Sequence, residues 1–260
     1  MMVNRTHFPL KKTKDNMICV NLGCGTKTNF EWNNVDFTPY ARIRQKMWLA
    51  KILRKCGLLS ELRWERLNHM DQDIICWNLK RGIPFPDKTF DVVYHSHLLE
   101  HLPKSDALVF LTECHRICKT GGIIRVVVPD LEHMARTYLE AVSRLDSGDE
   151  SAWCNYDDVV YGMFDQMVRQ QAIGTNAQKR MLARFEAMIR GGPERTGERH
   201  RWAYDRFSLA RGLSNAGFAN IAVRSFDKSA IQSWNRYGLD QKHDGSEYKP
   251  NSCYIEGVRP

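Results

Sequence analysis

The chain has 260 residues, of which 43% are hydrophobic and 26% charged, and its 38 basic against 30 acidic side chains give a net charge of +8. These are the proportions of a globular protein, enough for one large domain or a domain with a small cap. No apolar run approaches the roughly 18 residues of a membrane span, and the polar stretch Met1 to Asn16 has no hydrophobic leader core, so the expected compartment is the cytoplasm.

The basic excess favours anionic partners and gathers at Arg42 to Arg66 and Arg190 to Arg211. Neither segment shows the regular aromatic interleaving of a single-strand platform, and a solvated basic face is the favoured reading. The eight cysteines are scattered. Cys114 and Cys118 share a helix without a second pair at zinc spacing, so reduced thiols and no metal are expected.

In chain order, apolar runs bounded by turn residues predict strands near 17–22, 32–36, 73–77, 90–95, 123–128, 219–226 and 252–258, with helices between them. Segment 43–67 reads as helical, with Met47, Trp48, Leu49, Ile52 and Leu53 on one broad face, and suits a lid over a ligand pocket. Leu108, Leu111, His115 and Cys118 recur at helical steps over 104–119, a helix expected to stop at Gly121-Gly122. Further helices are expected at 131–145, 157–171, 176–189 and 207–216. The fold class is therefore α/β, a Rossmann-like, seven-stranded, mostly parallel sheet with helices on both faces and a helical insertion after the fifth strand. The expected parts are an arm at 1–16, an α/β core at 17–130, a helical insertion at 131–199 and a closing helix with two strands at 200–260.

Gly23 and Gly25 follow the first apolar run, and Asp36 ends the second. Glycines at such a turn let a ligand approach main-chain N–H groups, and an acid at the end of the next strand can accept ribose hydroxyls. A dinucleotide fingerprint would need a third glycine where Thr28 stands, which argues against a dehydrogenase. His95, His97 and His101 cluster just beyond the fourth strand, at the sheet end that binds ligands.

Four segments in order carry a resemblance to class I S-adenosylmethionine-dependent methyltransferases: Asn21-Leu22-Gly23-Cys24-Gly25, Asn34-Val35-Asp36, Leu79 through Phe85 to Leu102, and Glu113 to Gly122. The chain is similar in particular to small bacterial members linked with surface sugars, which also show Val128-Pro129-Asp130-Leu131 and the His200, Tyr204, Asp205 spacing. The resemblance implies S-adenosyl-L-methionine as cofactor, held by Asn21, Gly23, Cys24, Gly25, Asp36, Asn78, Leu79 and His95. Asn21 and Asn78 replace acids usual at those positions. His97, His101 and His200 are the expected catalytic candidates, with one of the first two as base, and Glu100 is a structural or cofactor-side carboxylate. Arg169, Arg180, Arg184 and Arg199 could meet a phosphate or carboxylate. The implied reaction is in-line methyl transfer to a small molecule, foremost an oxygen of a sugar or sugar-bearing metabolite. An RNA- or protein-directed enzyme and a partner protein with a vestigial cleft are the alternatives.

Overall fold

The computed structural model describes residues 8–167 and 200–260. Its single sheet holds β1 (Cys19–Leu22), β2 (Asn33–Asp36), β3 (Ile75–Cys76), β4 (Phe90–Ser96), β5 (Cys118–Pro129), β6 (Ala219–Arg224) and β7 (Ser252–Val258). The spatial order is β3-β2-β1-β4-β5-β7-β6. Pairs among the first five strands are parallel, with Leu22 beside His95 and His95 beside Val126. β7 runs antiparallel to both β5 and β6. The expected Rossmann-like sheet is therefore present, with strand ends shifted by a few residues.

The central strands are apolar along nearly their whole length because helices or loops cover both faces of the sheet. Val20, Val93, Ile124 and Val126 to Val128 have no or almost no exposure. One face packs on α4 (Lys104–Ile117) and α7 (Arg206–Asn215), burying Phe110, Leu111, Cys114, Leu209 and Leu213 against β1, β4 and β5. Asp205 caps α7: its Oδ1 accepts from Ser208 N at 2.7 Å while Asp205 N donates back to Ser208 Oγ at 3.0 Å, a reciprocal capping box.

The opposite face carries an aromatic cluster of Trp32, Tyr94, Trp234, Tyr237 and Tyr254, closed by the short helix α8 (Trp234–Tyr237). Arg125 lies fully buried in that cluster. Its Nε donates to Asp240 Oδ2 and one Nη to Glu256 Oε1, both at 2.8 Å. The other Nη donates to Ser225 O at 2.8 Å, and the guanidinium stands 4.5 Å from the Trp234 ring. Tyr94 donates its hydroxyl proton to the second Asp240 oxygen.

The segment expected as one helical piece is three helices, α1 (Pro39–Arg44), α2 (Met47–Lys55) and α3 (Glu61–His69). They form a small core of their own with Ala41, Ala50, Leu67 and Met70, packed on Cys24 of the glycine turn. After β5 come α5 (Leu131–Asp146) and α6 (Trp153–Met167). The helix expected at 157–171 therefore starts four residues earlier, and the one expected at 176–189 lies outside the described residues. No described helix is long and apolar enough to cross a membrane.

Gly121-Gly122 does not end a helix. Helix α4 stops at Ile117 and β5 begins at the next residue, so the two glycines sit inside a strand. Gly121 takes a φ of +77° and donates to Arg259 O. A Cβ on Gly122 would come within 2.8 Å of Cys118 Sγ and 3.0 Å of Asp91 O. Close main-chain approach demands the glycine there.

Candidate active site

Sequence order along the sheet reverses between β1 and β4, and ligands of open α/β sheets bind outside the carboxyl ends of strands at such a point. Gly23 and Cys24 both donate to Val35 O, at 2.8 and 3.1 Å, bending the chain sharply after β1. Gly25, at a φ of +54°, faces open space: a Cβ there would meet no atom within 4 Å. Its N–H donates to Asp36 Oδ2 at 2.7 Å, and Thr38 N donates to Oδ1 at 2.5 Å. Each carboxylate oxygen keeps a further lone pair for a hydroxyl. Trp77 N donates to Asp36 O, which lays Trp77, Asn78 and Leu79 along the same crevice. Asn78 and Leu79 are half-buried, and Asn78 Oδ1 accepts from Lys80 N to start a short 3₁₀ turn.

The other expected cofactor contacts face elsewhere. Asn21 is buried and donates to Lys27 O at 3.0 Å and Asn34 Oδ1 at 3.3 Å, so its amide braces the turn from beneath. Cys24 is buried under α1 to α3, and burial first, then the Asp36 charge, pushes its thiol well above the usual range. The assignment of His95 needs correction. Its ring has no exposure, packs edge-on against Phe110 at 5.2 Å, and among the described residues has both nitrogens without a hydrogen-bond partner. Alternation along β4 turns it into the core under α4, where burial pulls its pKa down to about 3. The side chain is a neutral core group.

The remaining histidines converge. His97 has a left-handed φ of +50°, uncommon for a residue other than glycine. Its Nε2 lies 3.0 Å from Ser252 Oγ, and its Nδ1 lies 3.3 Å from Glu100 Oε1. Ser252 donates its own proton to Lys249 O, so the ring donates through Nε2. His101 and His200 stand edge to face with centroids 4.8 Å apart. Main chain fixes this meeting of distant segments: Arg201 N and Trp202 N both donate to Glu100 O, and Leu131 N donates to Tyr204 O. His200 Nδ1 contacts the carbonyl of Gln166. The Tyr204 hydroxyl is buried with no partner among the described residues, and burial, helped by the Glu100 charge, raises its pKa to about 12.

Beside this cluster, a cleft of about 490 Å³ opens between the ends of β4 and β5, helices α5 and α6, and the loop before β7. His97, His133, Asn155, Asp158, Gln166 and Asn251 supply polar lining. The volume suits a small molecule. Arg169, Arg180, Arg184 and Arg199, expected near the acceptor, lie outside the described residues. Sequence reasoning missed Asn155 and Asn251, which line the cleft, and Ser252, which contacts His97 beside it; none of the three carries a motif.

Residues 20–126 match the family described as a methyltransferase domain. The match spans most of the α/β core, under half of the chain, and S-adenosylmethionine is the methyl donor of that class. The crevice fits that cofactor, with an open glycine turn for an amino-acid tail and an aspartate able to grip a ribose. A curated relative, the probable methyltransferase ltbC of Aspergillus luteorubrus, is 44% identical over 48 residues, covering 18% of this chain and 17% of its own. The chain thus aligns with under a fifth of that relative's length. Among solved structures, one from Thermotoga maritima described as a possible histamine N-methyltransferase shows 15% identity and a TM-score of 0.41, covering 93% of this chain and 81% of its own. A SAM-dependent methyltransferase from Archaeoglobus fulgidus shows 11% identity and a TM-score of 0.40, with 93% and 85% covered.

Proposed function

We propose that this protein transfers a methyl group from S-adenosylmethionine to an oxygen of a small molecule, a sugar or a sugar-bearing metabolite. The observation that carries the reading is the adjacency of two sites: the glycine and Asp36 crevice at the ends of β1 and β2, and the polar cleft at the ends of β4 and β5. Asn155, Asp158, Gln166 and Asn251 offer both donors and acceptors, as a polyol requires. His133 is compatible with a negative substituent on the acceptor, as is Lys249 on the same wall.

When bound, the cofactor supplies a methyl group already activated by its sulfonium. The chain then has to hold the acceptor in line with that methyl, exclude water and accept a proton. Holding two reactants in near-attack geometry is worth about 7–11 kcal/mol in well-oriented systems, so positioning can supply most of the catalysis. Proton removal falls to the histidine group. His97 borders the cleft, but its two nitrogens face Ser252 and Glu100, and use of it as base would require the Ser252 contact to open. His101 and His200 stand one step behind, joined to the cleft wall through Gln166.

The test is incubation with methyl-tritiated cofactor and separate metabolite, RNA and protein pools. Label should enter the metabolite pool and co-migrate with a sugar-bearing compound. Label confined to RNA or protein would reject the small-molecule acceptor. No label anywhere, together with no calorimetric binding of S-adenosylhomocysteine, would leave a vestigial cleft.

A further inference from the structure

The geometry points to a divalent transition-metal site formed by Glu100, His101 and His200 at the back of the acceptor cleft. One carboxylate and two imidazoles each offer a ligand atom, and these atoms all lie within 4.8 Å of one another. Metal bonds of about 2.0–2.2 Å to nitrogen and oxygen put neighbouring ligand atoms roughly 3–3.5 Å apart. Closing that gap asks only for small side-chain rotations. The backbone is already set, because Arg201 N and Trp202 N donate to Glu100 O at 2.7 and 3.2 Å and hold the His200 segment against the Glu100 turn.

Supporting contacts point the same way. His200 Nδ1 meets the Gln166 carbonyl, which fixes the proton on that nitrogen and makes Nε2 the basic nitrogen of the ring. His97 Nδ1 stands 3.3 Å from Glu100 Oε1, so a third imidazole borders the carboxylate. Glu100 is 1% exposed and His200 3%, so the donors sit in a shielded place where a cation would neutralise the acid. Two nitrogens and one oxygen favour zinc, cobalt or iron over magnesium or calcium, which prefer all-oxygen shells. The sequence showed no such set because adjacent Glu100 and His101 meet His200 only through the fold.

Three protein ligands leave coordination positions open, as in catalytic metal sites. Gln166, which contacts His200, also lines the cleft, so an acceptor hydroxyl could reach an open position. A hydroxyl bound there would lose its proton more readily, in the way zinc lowers the pKa of bound water from 15.7 to about 7, and with His101 and His200 serving as ligands the proton would pass to His97, which lines the cleft. This role rests on the methyl-transfer reading; the cation site itself does not.

Chelator-treated full-length protein titrated with cobalt(II) tests it. We expect one equivalent to bind with visible absorption of a nitrogen and oxygen environment, and zinc to displace it. Glu100→Gln and His200→Asn should each weaken cobalt binding at least tenfold, while S-adenosylhomocysteine affinity stays within twofold. The second measurement separates failure of the cation site from failure of the cofactor reading. Glu100→Gln preserves side-chain shape and decides the matter if His200→Asn does not fold. Absence of stoichiometric cobalt and zinc binding, binding unchanged in Glu100→Gln, or sulfur-to-cobalt charge-transfer bands that mark cysteine ligands would overturn the proposal.

Discussion

The two faces of the sheet handle buried polar groups in opposite ways. Under the aromatic cluster, Arg125 meets Asp240, Glu256 and the Ser225 carbonyl, so the charge is surrounded by fixed partners. Burial raises the pKa of Asp240, although Arg125 and Tyr94 pull it back. For Glu256, burial is outweighed by hydrogen bonds from Ala230 N, Ser229 and Arg125, and its pKa falls. On the other face, beyond β4, a carboxylate is set among the imidazoles of His97, His101 and His200. A charge matched on every side belongs to architecture. A carboxylate grouped with imidazoles beside a cleft is arranged for something that arrives.

The sharpest way to break that contrast is Arg125→Met against Glu100→Gln in urea unfolding. Removing one partner of a buried ionic network costs about 3–5 kcal/mol because the remaining charges lose their match, so Arg125→Met should lower the midpoint strongly. Glu100→Gln should cost less, since the amide keeps the side-chain shape and the His97 contact, at 3.3 Å, is longer than the 2.8 Å contacts of the arginine network. Equal losses in both would make the histidine cluster as structural as the arginine network.

Asp36 stands between the two kinds, since it is buried and bonded to Gly25 and Thr38 yet lies at a strand end. Hydrogen bonds to a charged group contribute about 1.5–3 kcal/mol. Asp36→Ala should therefore weaken S-adenosylhomocysteine binding roughly 10- to 100-fold by calorimetry. Unchanged affinity would place Asp36 with the architecture.

His95 gives a pH test on the second face. Its folded pKa of about 3 lies below the ordinary imidazole value of 6.5, so folding favours the neutral ring. Stability is full above pH 6.5 and falls as the pH drops through the window down to about 3. The slope is about 1.4 kcal/mol per pH unit, or about 2 kcal/mol lost by pH 5. In His95→Leu, stability should vary less over that window. Parallel pH curves for parent and variant would mean that the imidazole finds a partner on folding.

The smallest expected effect is Asp205→Ala, which removes the α7 cap and should cost about 1 kcal/mol without changing cofactor affinity. A change in affinity would link that helix end to the site.

The strands were readable from the sequence because burial on both faces writes continuous apolar runs, as in Val92-Val93-Tyr94 and Val126-Val127-Val128. The glycine turn and Asp36 were readable because both lie close in sequence and at strand ends. Gly121-Gly122 misled: a glycine pair after a helix suits a terminus, and only the packing of Asp91 and Cys118 shows that a strand needs it. The Arg125 network spans residues from three distant segments and has no local pattern. His95 looked like part of the site because its neighbours are. Strand alternation decides its side, and a shift of one residue reverses the answer.

The position of β7 has a consequence for how the molecule is made. Strand β6 touches the sheet only through β7, which inserts between it and β5. During synthesis, β5 therefore presents a bare edge until residues 252–258 have emerged, and β6 waits unattached. Nascent chains halted before that point would offer a sticky border to one another, so slow translation near the final strand should favour chaperone capture over solitary folding.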